Sequence, residues 1–146
     1  MYTAVVLTPE SRSKIMQTYK NEIESLGNGF QMRNAQGQDL LHHVTINMGD
    51  IDRTLNPAIE LGTLINMRIV GFGHDEKVAA FRVGNDALSS NGVVFGTPPI
   101  VTANNIPHIT AAINPLNGGK PFLSNQIKTW SFLPKLEISG ILQVVN

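Results

Sequence analysis

His43-Val44-Thr45-Ile46-Asn47-Met48 and His108-Ile109-Thr110-Ala111-Ala112-Ile113 repeat one arrangement 65 residues apart: a histidine, an apolar residue and a threonine inside an alternating run. In an extended strand, residues two apart share a face. The first segment therefore turns His43, Thr45 and Asn47 one way and Val44, Ile46 and Met48 the other. The second turns His108, Thr110 and Ala112 one way and Ile109, Ala111 and Ile113 the other. Each strand offers an apolar face to a core and a polar face with imidazole and hydroxyl in the same order. A single His-x-Thr arises readily by chance; two copies in matched strands form a pattern.

Working outward, Tyr2 to Leu7 is apolar and β-branched and reads as a strand. Thr8 then suits a helix N-cap, with Pro9 at the first helical position and Glu10 in the first turn. Ile15, Met16, Tyr19, Ile23 and Leu26 follow at helical spacing, which predicts an amphipathic helix over 9–26 stopped by Gly27. Residues 27–39, rich in Gly, Asn and Gln, read as a loop, and Leu40 to Met48 as the first His-bearing strand. Asp50 to Leu61 suggests a short helical turn broken at Pro57. Leu64–Phe72 and Lys77–Val83 read as strands joined by a hairpin turn at Gly73-His74-Asp75-Glu76. Residues 84–106 read as a long irregular segment with a short strand at 93–95, long enough to cover a small ligand. Ile106–Ile113 is the second His-bearing strand. A link at Asn117-Gly118-Gly119 leads to a helical segment at Phe122–Trp130 and a last strand, Leu136–Val145, with an irregularity at Gly140. The expected class is α+β, mostly antiparallel with one long helix, in a single domain over 1–146.

Composition narrows the partners. Eleven Lys and Arg balance eleven Asp and Glu, whereas proteins that grip long nucleic acids usually carry a basic surface. The balance speaks against a long RNA or DNA partner and is compatible with a small anion in a pocket. No apolar run approaches the roughly 20 residues of a membrane helix, so no membrane partner is expected. Met1-Tyr2-Thr3-Ala4 lacks a basic n-region, so no secretory signal is expected. With no cysteine there is no disulfide framework or thiolate metal site, which fits a cytoplasmic protein.

Two imidazoles and two hydroxyls suit a phosphodiester. Imidazole, with an unperturbed pKa near 6.5, exchanges protons close to neutral pH, and two of them across a phosphorus can act as general base and acid. Threonine hydroxyls can donate to the non-bridging oxygens, where charge builds. The scheme requires no metal and no cofactor. A zinc site would need three or four converging ligands, and no His-x-His or HExxH spacing is present. His42 faces away from His43 in a regular strand and reads as structural or surface, and His74 sits at a hairpin tip. Arg68 and Arg82, on predicted strands, read as water-facing. Trp130, the sole tryptophan, is a core anchor or a base-stacking surface, and Lys120 follows the glycine turn within reach of a phosphate.

The paired motifs resemble the two-histidine (2H) phosphoesterase superfamily, which includes RNA 2′,3′-cyclic phosphodiesterases. The resemblance rests on the opening strand and helix, His43-Val44-Thr45, Pro107-His108-Ile109-Thr110, Lys120-Pro121 and Ser124-Asn125. The short layout looks like the phage anti-CBASS phosphodiesterases, viral hydrolases that degrade the cyclic oligonucleotide signals of a bacterial immune system. The resemblance implies a bilobal fold with pseudo-twofold symmetry around a central cleft. It also implies metal-independent cleavage by His43 and His108, with Thr45 and Thr110 holding the phosphate. Aromatic and acidic residues would hold the nucleotide, for which Trp130 and Glu137 are candidates beside Lys120. The implied ligand is a cyclic oligonucleotide, and the implied location of a viral member is the host cytoplasm. A cyclic di- or trinucleotide phosphodiesterase, an RNA 2′,3′-cyclic phosphodiesterase and a non-catalytic cyclic-nucleotide binder all remain open. The matched motifs leave His43 and His108 interchangeable as acid and base.

Overall fold

In the computed structural model, the apolar N-terminal run forms strand β1 (Tyr2–Leu7) and Thr8 caps the helix behind it, its hydroxyl accepting from the Ser11 amide at 3.2 Å. The structure describes residues 1–84 and 94–146. Helix α1 spans Pro9–Thr18 and α2 spans Lys20–Glu24, so the single helix predicted over 9–26 is broken at Tyr19. There the backbone leaves helical geometry (φ −111°, ψ 29°), and the buried ring packs against Phe81 with centroids 5.3 Å apart. Its hydroxyl donates to the Pro134 carbonyl. A tertiary anchor overrides the local period.

The remaining strands are β2 (His43–Met48), β3 (Leu64–His74), β4 (Val78–Val83), β5 (Val94–Phe95), β6 (Ile100–Val101), β7 (His108–Ile113) and β8 (Trp130–Val145). Five of them close into a barrel with β1, in the order β1-β2-β7-β4-β3-β8, and β5 and β6 form a separate two-stranded ribbon. The neighbours pair antiparallel throughout, so the fold is mixed α+β as the alternation predicts. Val5, Val44, Ile46, Ile69, Phe81, Ile109 and Leu142 are buried in the main core, joined by Ile15 and Tyr19 from the helical segment. Among the described residues no helix is long and apolar enough to cross a membrane.

Several boundaries differ from the sequence expectation, each for a local reason. The first His-bearing strand starts at His43 rather than Leu40, because Leu41 has φ 61° and breaks the pleat. Residues 50–61 contain one helical turn, in which the Asn56 amide donates to the Asp52 carbonyl at 2.9 Å just before Pro57, and no helix beyond it. The Asp52 carboxylate accepts from the Thr54 and Leu55 amides, which competes with helical bonding. The segment expected to be helical over 122–130 is a 3₁₀ helix, Pro121–Gln126. Strand β8 begins at Trp130, six residues before the expected Leu136, despite Pro134. Its register steps from Leu136 opposite Ile69 to Phe132 opposite Gly71, a bulge that takes Pro134 out of the ladder. Gly140 keeps regular pairing with Leu7 and Ile65; it is required because a Cβ there would lie 2.7 Å from the Val6 carbonyl oxygen. In the β3–β4 turn, the Asp75 carboxylate accepts from the amides of Lys77 and Val78, and His74 is exposed at the strand end as expected. Of the strand expected at 93–95, Val94 and Phe95 form β5, while residues 85–93 of the predicted covering segment lie outside the described residues.

Candidate active site

The two His-x-Thr strands are neighbours in the barrel, and their register is set by one pair, Val44 opposite Ile109. In an antiparallel ladder that pairing puts His43 beside Thr110 and Thr45 beside His108. Val44 and Ile109 are fully buried, so the four polar side chains share the opposite face. They form a square with histidines at one diagonal and threonines at the other. Diagonal neighbours on a sheet are about 7–8 Å apart, close enough for both imidazoles to flank one phosphate.

That face opens into a cleft of about 960 Å³, the upper end of the range for small-molecule sites. His43, Thr45, His108 and Thr110 all line it. So do Asn34, Gln38, Asn104 and Asn125, whose amides can both donate and accept. Among the described lining residues, Arg33 is the one Lys or Arg, and its guanidinium is held 3.3 Å from the Asp39 carboxylate. The cleft mixes apolar and polar side chains, and Arg33 and Asp39 offset each other's charge.

The two halves of the square are not equivalent. His43 packs against the Tyr2 ring (centroids 4.9 Å apart), and its Nδ1 lies 2.9 Å from Nδ1 of His42. One of those nitrogens must donate. When His43 donates, its Nε2 carries a free lone pair. Burial, then the neighbouring His42 and His108, lower the His43 pKa to about 4, so the ring is neutral at pH 7. The hydroxyl of Thr45 has no hydrogen-bond partner among the described residues and is available to a ligand.

The other half is tied down. His108, only 8% exposed, donates from Nδ1 to the Ile106 carbonyl at 2.7 Å, and its Nε2 lies 2.8 Å from Ser124 Oγ. Thr110 Oγ1 is 2.9 Å from the same Ser124 oxygen, and Ser124 also donates to the Pro121 carbonyl at 2.7 Å. Burial lowers the pKa of His108, while its bond to Ile106 opposes that shift by favouring the cation. Ser124 is placed by the 3₁₀ helix that Pro121 begins, in which the serine hydroxyl closes back on the first residue's carbonyl.

His42 corrects the sequence expectation. Read in a regular strand it faces away from His43, yet it lines the cleft, because the positive φ of Leu41 interrupts the alternation one residue earlier. The three residues expected to hold a ligand do not line the cleft. Glu137 lies on β8 and pairs with Arg68 at 2.5 Å. Trp130 packs on a small second core around Val78 and Ile127. Lys120 is exposed and immediately precedes the 3₁₀ helix. In their place the cleft presents Tyr2 and the exposed ring of Phe122, which the sequence pattern did not single out. Ser124 stood beside Asn125 in the stretch that carries the family resemblance, but only the fold brings it to His108.

Among the described residues, no group of three or more His, Asp or Glu side chains converges as metal ligands would. No protein-family model matches the chain, and no curated protein matches it.

Proposed function

We propose that the protein is a two-histidine phosphodiesterase that hydrolyses cyclic di- or trinucleotides, the activity of the anti-CBASS enzymes it resembles. The observation that carries this reading is the Val44–Ile109 register, which gathers both His-x-Thr motifs on one face of one cleft. The strand order supports a bilobal, pseudo-twofold fold. From that pair the barrel runs β2, β1, β8 in one direction and β7, β4, β3 in the other, closing where β8 meets β3.

The geometry supports distinct roles for two histidines that the motifs alone leave interchangeable. His43, neutral and with an open lone pair, takes a proton from the attacking water. The new P–O bond forms as the opposite P–O bond breaks, and the leaving oxygen takes a proton from the His108 side. Thr45 donates to a non-bridging oxygen as charge develops on it. The near-neutral cleft and the even overall charge favour a compact ligand over a long RNA, which would need a track of phosphate contacts.

Turnover of a cyclic dinucleotide and of an RNA bearing a 2′,3′-cyclic end, compared in EDTA, tests the assignment. Linear product from the cyclic dinucleotide is expected, with slower turnover of the RNA. Preference for the RNA end contradicts the substrate. Recovery of intact cyclic dinucleotide from a stable complex identifies a binder and contradicts the enzyme.

A further inference from the structure

Both nitrogens of His108 are occupied by protein groups: Nδ1 by the Ile106 carbonyl and Nε2 by Ser124 Oγ. A general acid in this half of the square therefore has no nitrogen facing the ligand directly. Ser124, whose Oγ lies against His108 Nε2, is itself a cleft-lining residue, 3% exposed.

Counting protons sharpens the point. Ser124 has one hydroxyl hydrogen and three acceptors within reach, His108 Nε2 at 2.8 Å, the Pro121 carbonyl at 2.7 Å and Thr110 Oγ1 at 2.9 Å. With His108 cationic, Nε2–H donates to Ser124, Ser124 donates onward, and Thr110 donates into the same oxygen at 2.9 Å. With His108 neutral, Nδ1–H still binds Ile106, so the serine hydrogen must turn to Nε2. The Pro121 carbonyl then keeps the Thr110 hydroxyl as its side-chain donor, at 3.4 Å. The hydroxyl thus reverses direction with the charge of the histidine, as a proton relay does. The corresponding half around His43 contains no such hydroxyl among its described partners.

We propose that Ser124 relays the acid proton from His108 to the leaving oxygen of the phosphodiester, an inference that rests on the phosphodiesterase reading. In the step, the Ser124 O–H bond breaks as its hydrogen passes to the leaving oxygen and the P–O bond cleaves. The Nε2–H hydrogen of His108 moves to Ser124 Oγ. His108 ends neutral, Ser124 is restored, and the proton taken up by His43 from the nucleophile balances the charge. For delivery the serine hydroxyl swings from the Pro121 carbonyl toward the ligand.

The test compares Ser124→Ala and Ser124→Thr with wild type on two substrates, a cyclic dinucleotide and bis(p-nitrophenyl) phosphate. The nitrophenolate departs without a proton, so an acid relay matters only for the first. The expected result for Ser124→Ala is a loss of about 100-fold or more in kcat on the cyclic dinucleotide with KM little changed. Turnover of the nitrophenyl ester stays within a few-fold of wild type, and Ser124→Thr recovers most of the lost rate. An equal loss on both substrates makes Ser124 a structural support and overturns the relay. Unchanged kcat on the cyclic dinucleotide overturns it too, while leaving the phosphodiesterase reading intact. If wild type cleaves neither substrate, that reading fails and the relay with it. Should Ser124→Ala not fold, Ser124→Cys serves in its place, a side chain of similar shape whose S–H is a weak donor.

Discussion

Acid should unfold this protein partly through its own cleft. His43 has a folded-state pKa of about 4 against 6.5 for a free imidazole, because burial, and then His42 and His108, oppose its charging. Between those values the unfolded chain binds more protons than the folded one, so stability is full above pH 6.5 and is lost as pH falls toward 4. Two-state linkage puts the His43 share of the loss at about 1.4 kcal/mol at pH 5.5 and about 3 kcal/mol at pH 4. His108, whose pKa is also lowered by burial, adds in the same direction. The assay is urea unfolding of wild type and His43→Asn at pH 7.5, 5.5 and 4. For a urea m-value of about 2 kcal/mol/M, the His43 share alone moves the wild-type midpoint down by about 0.7 M and then about 1.5 M relative to the variant. The subtraction removes the carboxylates from the comparison. A wild-type-minus-variant difference that stays constant from pH 7.5 to 4 would refute the reasoning, since His43 would then titrate alike folded and unfolded.

Three further outcomes follow from contacts elsewhere. His42→Ala removes the Nδ1 partner and one of the groups that lower the His43 pKa, so NMR titration should find the His43 pKa raised above about 4; no movement contradicts the pairing. Gly140→Ala places a methyl 2.7 Å from the Val6 carbonyl oxygen and Val5 Cγ1, which should cost about 1–3 kcal/mol in chemical unfolding; neutrality would mean that β1 and β8 separate easily. Glu137→Gln breaks an exposed ion pair with Arg68 outside the cleft, so thermal unfolding should register less than about 1 kcal/mol and turnover should be unchanged. A large loss of turnover would return Glu137 to the ligand.

What was legible in the sequence is what local chemistry determines. Strand alternation identified β2 and β7 and the common face of their His-x-Thr residues, and Thr8-Pro9 marked the start of α1, because a pleat and a cap depend on neighbours in sequence. Beyond the motifs the alternation fails: Met48, expected inward, is 77% exposed and lines the cleft, and Ala112, expected on the polar face, is buried in the core, because bulges at Ile46 and Ala111 shift the register. The helix break at Tyr19 was invisible, since its cause is a ring contact with Phe81 far along the chain. Pro134 concealed the first residues of β8, because a proline argues against a strand unless a bulge removes it from the ladder. In the candidate site, the four motif residues converge as their period implies. The surroundings depend on backbone events without a pattern: the positive φ at Leu41 that delivers His42, and the 3₁₀ turn that delivers Ser124. Glu137 and Trp130 have suitable chemistry, but the sheet registers place them away from the cleft.

Cleavage of a cyclic dinucleotide by purified protein in EDTA, followed for wild type and the His43→Ala, His108→Ala double variant, addresses the paired motifs most directly. Wild type should yield linear product, and the double variant, still folded by circular dichroism, should lose at least about 1,000-fold in rate. Equal turnover by the two proteins, or none by wild type, would contradict a phosphodiesterase built on His43 and His108.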